Sequence, residues 1–396
     1  MKKATEFAPP TQEEVGADLR ALFLQAIHMT LTVLLEEEVE RLVGVGRFER
    51  VEGRQDSRNG YYRRGLTTSV GKLEVEVPRT RGRGGAGAVL GRYRRRTEEV
   101  DDAITAAYVQ GVSTRKMGKV TAALMGGGVG RSTVSRVTKS LEEKVEGLKR
   151  ARLTQAFPYV YLDATFLDAR WARAVENVSA LVAYGVGEDG HRHLLAVTLG
   201  PSESQASWEE LLEQLVDRGL GGVRLVIADG HSGLEAAVRR LLPEARQQRC
   251  TVHLTRNVAA KVPQRVRQRV AREVSAVFNA PSRKEAKVRM EAFKTGLGAQ
   301  LPEAVACLEK GFAAATVFYE FPQGHWRRLR STNGLERLHG EVKRRIRSVG
   351  AFPDRASALR LITTVAWEVS SVWSDRRYLD MSLLNPTQEQ PVQQLS

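Results

Sequence analysis

Residues 159–166 read YVYLDATF, and residues 223–230 read VRLVIADG. Both are short runs of branched and aromatic residues, the composition of strands. An apolar run such as LVIA suits a strand buried on both faces, as in parallel sheets. Each run stops at an aspartate, Asp163 or Asp229. A carboxylate there needs a partner or a task, because an unpaired buried charge is costly. Ligand sites in α/β sheets lie beyond strand ends of this kind. Two such carboxylates on neighbouring strands resist joint ionisation unless a divalent cation neutralises them. Taken singly, each has a plainer reading, in which it starts a turn or caps the next helix.

Working outward, NVSALVAYGV (177–186) and HRHLLAVTLG (191–200) read as two more strands, joined in a tight hairpin by the glycines of VGEDGH. Trp208, Leu211, Leu212, Leu215 and Val216 share one helical face, LEAAVRRLL (234–242) is a helix and QQRCTVH (247–253) a short strand. The order is three strands, helix, strand, helix, strand. This predicts an α/β fold, a mixed five-stranded sheet with helices on its faces. Residues 254–325 break the alternation and read as an all-helical insertion. Residues 333–349 form a basic helix with Leu335, Leu338, Val342, Ile346 and Val349 on its apolar stripe, and a last helix carries Leu359, Ile362, Ala366, Val369 and Trp373. The tail NPTQEQPVQQLS is expected to be disordered.

Ahead of the sheet, residues 14–43 have the apolar spacing of one long helix, ended by Gly44 and Gly46. Such a helix packs on another, and a second subunit is one source of it. LTTSVGKLEVEV (66–77) is a hairpin turning at Gly71 and closed by Pro78. Residues 78–97 hold seven arginines, five glycines and no acid, which reads as a flexible basic linker in contact with phosphates. Residues 100–147 read as three helices, the second capped by Ser113 and the third by Ser132 or Thr133. The third carries Arg136 and Lys139, and the trio suits a helix-turn-helix. The turn GGGVGRST (126–133) is not a nucleotide loop: only three residues separate Gly126 from Gly130, and Arg131 stands where lysine is needed.

Composition narrows the partners. The 396 residues include 61 Lys and Arg against 46 Asp and Glu, a net charge of +15. That excess calls for a polyanion, nucleic acid or an anionic membrane surface. Two cysteines exclude a disulfide scaffold. The N-terminus lacks the apolar run of a signal peptide, and no stretch of 18 apolar residues occurs, so the expectation is a soluble intracellular protein outside the membrane.

Glu336 is the third candidate acid. It stands three residues after Asn333, the spacing of a capping box, yet off the apolar stripe, on a face with Gly340, Lys343 and Arg347. Between 327 and 347 eight basic residues accompany two acids. A carboxylate in that setting suits an enzyme holding DNA over a metal, since Mg²⁺ binds through one or two carboxylates plus substrate phosphate oxygens. Cys250 and His253 are half of a zinc pattern with no second pair; a buried cysteine with a histidine orienting the site is the simpler reading. No G-x-S-x-G elbow or cysteine dyad is present.

Together YVYLDAT, VIADGHSGLEAA, RCTVHLTRN and HWRRLRSTNGLERLHGEVKRR, in this order, resemble the bacterial Mutator-type insertion-sequence transposases over most of residues 58–375; NGYYRRGLTTSVGKLEVEVPRTRG and STVSRVTKSL are similar to that family's front half. The resemblance implies a ribonuclease H-like domain with a DDE triad of Asp163, Asp229 and Glu336. These would bind two Mg²⁺ ions, or Mn²⁺ as substitute, with one ion activating water or a 3′-hydroxyl and the other stabilising the leaving oxygen. Cys250 and His253 match its C-x-x-H signature, followed by Arg256 and Asn257, and Trp326 matches the tryptophan ahead of the glutamate. The family usually has proline where Gly334 stands and asparagine where His339 stands.

The resulting division is 1–98 for dimerisation and DNA contact, 99–150 for the helix-turn-helix, 151–253 and 326–375 for the catalytic domain, 254–325 for the insertion and 376–396 for the tail. The expected partners are double-stranded DNA, at element ends and target, and a second copy of the chain; no nucleotide is expected. The expected location is the bacterial cytoplasm, at the nucleoid. The expected DNA contacts are Arg92, Arg94, Arg95, Arg96, Arg131, Arg136, Lys139, Arg337, Lys343, Arg344 and Arg347. Three rivals remain: a silent DNA-binding regulator, a nuclease of the same fold that cuts without joining, and a carboxylate-pair glycosidase, which the charge argues against.

Overall fold

Apolar spacing along the first part of the chain makes one long helix, α1 (Gln12–Val43). The structure is a computed structural model and describes residues 12–49, 52, 54–82, 89–91, 94–171, 174–350, 352–373 and 375–384. The chain divides into two compact units, 1–139 and 140–396.

In the first unit, α1 is followed by the antiparallel ribbon β1 (Arg58–Thr67) and β2 (Lys72–Thr80). Leu35, Val39 and Val43, one turn apart, bury against Leu66, Val75, Val77 and Leu90. Further toward its N-terminus α1 leaves Leu22, Phe23 and Met29 about 60% exposed. By length and composition alone Ala17–Val43 is apolar enough to cross a membrane, which the search for an unbroken apolar run did not anticipate.

The ribbon is longer than expected, and Pro78 does not close it. Pro78 lies inside β2 opposite Tyr61, beside a register shift, where a residue without an N–H is tolerated. The expected flexible linker is pinned in part. Arg96 bridges to Thr67, the carbonyl of Arg95 accepts from the Thr67 N–H, and Leu90 enters the core.

Helices α2 (Glu98–Val109), α3 (Thr114–Met125) and α4 (Arg131–Val137) complete this unit. Ser113 caps α3 through the Lys116 N–H. Gly130, rather than Ser132 or Thr133, stands at the N-cap of α4. The expected third helix is broken by a 3₁₀ turn at Thr138–Ser140 and resumes as α5 (Leu141–Arg150). The glycine-rich turn has a packing reason: a Cβ on Gly128 would stand 2.8 Å from the Gly118 carbonyl oxygen of α3.

The second unit is built on strands β3 (Tyr159–Trp171), β4 (Ala174–Val186) and β5 (Arg192–Gly200), helix α6 (Gln205–Asp217), strand β6 (Leu225–Ala228), helix α7 (Ser232–Leu241) and strand β7 (Arg246–Arg249). The sheet order is β5-β4-β3-β6-β7. β4 runs antiparallel to β3 and β5, while β6 runs parallel to β3 and β7 parallel to β6. Alternation sorts the side chains. Val160, Leu162, Val226 and Ala228 pack with Trp208, Leu211, Leu212 and Leu215 of α6 and Leu234 and Val238 of α7. Tyr159 and Tyr161 face the other way. The Tyr159 hydroxyl donates to His325 Nδ1, whose Nε2 donates to the Asp380 carbonyl, and Tyr161 stacks on Tyr184 at 4.4 Å.

Helices α8 (Thr251–Ala260), α9 (Arg267–Phe278), α10 (Arg283–Leu297) and α11 (Pro302–Ala315) enclose a core of their own around Leu254, Val258, Val274, Phe293 and Leu308. The short α12 (Trp326–Leu329) leads to α13 (Asn333–Val349) and α14 (Arg355–Ser371). Two expectations are corrected. The strand expected over 247–253 ends at Arg249, because Cys250, after a last bond from its N–H to the Ala228 carbonyl, becomes the N-cap of α8 and accepts the Leu254 N–H at its own carbonyl. The start of the expected disordered tail is ordered: Tyr378 and Leu379 donate to the Gly190 carbonyl. Residues 385–396 lie outside the described residues.

Trp208 is fully buried, yet its indole N–H has no partner among the described residues. Trp208→Ala is expected to destabilise the second unit by about 3–5 kcal/mol. Trp208→Phe, which also removes the unsatisfied donor, is expected to cost less than half of that. Denaturant unfolding of the two variants checks this order.

Candidate active site

Register brings the first two acids together. Tyr161 and Ile227 are the last pair of the parallel β3–β6 ladder; two residues on lie Asp163, still inside β3 and paired with Val182 of β4, and Asp229, just past the end of β6. Neighbouring strands are ~4.8 Å apart, and both aspartates share the parity of Tyr161 and Ile227, away from α6 and α7. Asp163 is 7% exposed. One of its oxygens accepts from the Ala164 N–H. Asp229 accepts from the His231 N–H at 3.0 Å, a local turn that holds its carboxylate at the strand end.

Helix α13 supplies the third. Leu335, Leu338 and Val342 bury its apolar stripe, leaving Glu336 and His339 on an adjoining flank. His339 Nδ1 is 3.4 Å from Asp163 Oδ2, which ties that flank to β3. Thr332 is the N-cap of this helix without a side-chain cap bond, so the capping box expected from Asn333 does not form. Glu336 Oε1 lies 2.7 Å from an Arg256 nitrogen and 3.8 Å from His253 Nε2. The arginine contact is ionic and out of line for a hydrogen bond, since Oε1 is buried without a hydrogen-bond partner.

Cys250 fastens these parts. Its N–H donates to Ala228, the residue before Asp229. Its Sγ accepts from the Thr332 N–H and Oγ1, each at 3.5 Å, at the start of the helix that carries Glu336. Thr251 repeats the link, giving both its N–H and its hydroxyl to the Arg330 carbonyl.

The charges follow from this crowding. The neighbouring Cys250 thiol, opposed by burial and helped by the charges of Asp163 and Asp229, raises His253 to about 9. Burial pushes the Cys250 thiol up, but His253 and Thr332 together draw it below the ordinary range. Glu203, just before α6, is raised to about 7 by burial first and then by Asp229 and Asp163. It is a fourth acid at this end of the sheet, which no strand or motif pattern marks in the sequence. Among the described residues, no three His, Cys, Asp or Glu side chains stand close enough as placed to hold a metal ion. The donor set nevertheless fits a hard cation. Two aspartates whose charges both act on His253 and Glu203, and a glutamate oxygen without a hydrogen bond among the described residues, are the ligand type that Mg²⁺ takes.

The other expected residues divide. Asn257 is exposed. The Trp326 indole donates to the Phe321 carbonyl and packs edge-on to Phe318 and Tyr319, away from the acids. Arg131, Arg136, Lys139, Arg337, Lys343 and Arg347 are exposed. Arg95 is exposed, while Arg94, Arg96 and Arg344 pair with Glu98, Asp101 and Glu341. Arg92 lies outside the described residues.

The sequence model described as "Transposase, Mutator family" matches residues 3–376. The chain is 34% identical to the transposase for insertion sequence element ISRM5 of Rhizobium meliloti, over 90% of each chain. It is 35% identical to the transposase for IS256 in transposon Tn4001 of Staphylococcus aureus, covering 88% of this chain and 90% of that one. It is 34% identical to the transposase for IS1081 of Mycobacterium tuberculosis, covering 89% and 86%.

Two glycines of α13 give opposite predictions. A Cβ on Gly334 would stand 2.7 Å from the Tyr184 hydroxyl, whereas one on Gly340 meets nothing within 4 Å. Gly334→Ala is expected to lose about 1–3 kcal/mol through overpacking, and Gly340→Ala to gain about 0.5–1 kcal/mol from helix propensity. Thermal unfolding of both variants reads the two signs.

Proposed function

The chain belongs to the Mutator family of transposases, and we propose that it works as a DDE enzyme on the ends of its own insertion sequence. In this reading it binds the terminal inverted repeats, cleaves DNA strands and joins the freed 3′-hydroxyl to target DNA. The observation that carries it is the gathering of three acids around His253, whose charge responds to Asp163 on β3 and Asp229 just past β6 and whose Nε2 lies 3.8 Å from Glu336 on α13. The strand order, with three antiparallel strands and two parallel ones, supports a ribonuclease H-like sheet, and α8–α11 correspond to its helical insertion.

Asp163, Asp229 and Glu336 would hold Mg²⁺ or Mn²⁺, two ions per site. The chemistry supplied by the bound cations is neutralisation of charge at the scissile phosphate and acidification of the attacking water or hydroxyl. His339 orients the Asp163 carboxylate. His253 places positive charge near all three acids and lets them sit close together. Glu336, ion-paired with Arg256 in the structure, would release that arginine when it holds the cation. No covalent bond between protein and DNA is required.

In the first unit, α2–α4 would read the element ends as a helix-turn-helix, with Arg131 and Arg136 on α4 and Lys139 just beyond it at the DNA. The exposed apolar side chains of α1 suit a second copy of the chain, so that two ends meet two active sites. The protein would work at the nucleoid. The ion pair between Arg256 and Glu336 favours one alternative, a DNA-binding regulator without chemistry.

Asp163→Asn is expected to keep end binding and lose both cleavage and joining. Labelled duplexes of the element ends, incubated with Mg²⁺, provide the assay. Cleavage by this variant at the wild-type rate would sink the triad; binding without cleavage by the wild type, in Mn²⁺ as well, would select the regulator. Cleavage without joining would select a nuclease.

A further inference from the structure

A cleft of about 980 Å³ opens beside Glu336, between the start of α8, the end of α9, the α12–α13 segment and residues 376–378. Eight arginines line it, and Glu336 is its single carboxylate. They come from β5, α8, α12 and the residue after it, α13 and the segment after α14. Like charges crowded this way destabilise a fold unless an anion answers them.

Two of the guanidiniums are oriented in advance. The Arg192 guanidinium lies 4.4 Å from the Trp373 ring centre and 4.5 Å from that of Tyr378, and Arg328 lies 4.6 Å from Tyr378. Stacking holds a guanidinium plane while leaving its N–H edges for a ligand. Arg192 Nε is buried with no hydrogen-bond partner among the described residues. Arg328, Arg376 and Arg377 are exposed at the cleft. Guanidinium forks suit phosphate oxygens taken two at a time, and a basic groove with an aromatic side chain in its lining, here Tyr378, suits a single strand with unpaired bases.

We propose that this cleft seats a single DNA strand by its phosphates, with Arg192, Arg328, Arg376 and Arg377 as the main contacts, and leads it past Glu336. The direction of the strand, toward Asp163 and Asp229, rests on the function proposed above; the binding itself does not. Of the DNA contacts expected from sequence, only Arg337 lines this cleft.

The test uses the full chain, EDTA and a fluorescent single-stranded oligonucleotide of mixed sequence, followed by anisotropy over a salt series. Changing Arg328, Arg376 and Arg377 together to Gln should weaken binding. It should also lower the slope of log affinity against log salt by about two, at roughly 0.7 per phosphate contact on a single strand. Circular dichroism checks that the variant folds. An oligonucleotide carrying 5-iodouracil should cross-link to the peptide that contains Tyr378. An unchanged slope, or cross-links confined to residues 1–139, would overturn the proposal. Asp163→Asn in the same series should keep the wild-type slope, so a failure of the chemistry and a failure of the cleft give different results.

Discussion

A buried thiol holds the candidate site in register. Cys250 binds the carbonyl just before Asp229 through its own N–H and takes two hydrogen bonds at sulfur from Thr332, where the Glu336 helix begins. A strand end and a helix start more than a hundred residues apart in sequence are thereby fixed to one residue. A side chain without an acceptor at this position would leave the Thr332 amide buried and unpaired, which costs about 1–3 kcal/mol. The C-x-x-H spacing follows from this arrangement. Cys250 occupies the N-cap of α8, so His253, three residues on, lies on the same face one turn later and reaches Glu336.

Strand parity does the rest. One face of β3 and β6 carries Val160, Leu162, Val226 and Ala228 into a core with α6 and α7, which obliges the opposite parity to carry Tyr159, Tyr161 and then Asp163. The acids emerge where tyrosines end, in surroundings dry enough that their charges act strongly on neighbours. Glu203 and His253 both register this, one held toward neutrality and the other toward the protonated form. For a member of a transposase family, such crowding suits a reaction whose substrate brings phosphate charge and whose cofactor brings the opposing cation.

Much of this was legible in the residues. The strand end before Asp229, the hairpin between β4 and β5 and the limits of α13 all follow from apolar runs with clear periods, whereas Asp163 lies inside β3, which continues to Trp171 paired with β4. Other parts were hidden for physical reasons. QQRCTVH has strand-like composition, but the Cys250 carbonyl turns to the Leu254 N–H, which ends the ladder and begins a helix. Pro78 reads as a stop, yet a two-stranded ribbon has an open edge that needs no N–H. The arginine cleft draws on five separate stretches of chain, so no local run marks it. Glu203 stands three residues past the end of β5, after Pro201 and Ser202, and only folding sets it near the aspartates.

The account depends on Asp163, Asp229 and Glu336 acting as one cation-holding group. The direct measurement is Mn²⁺ binding by electron paramagnetic resonance, with DNA of the element end present, for the wild type, Asp229→Asn and Glu336→Gln. The account predicts saturable binding by the wild type, loss of it in Asp229→Asn and a weakened form in Glu336→Gln. Equal Mn²⁺ binding by all three proteins would contradict it.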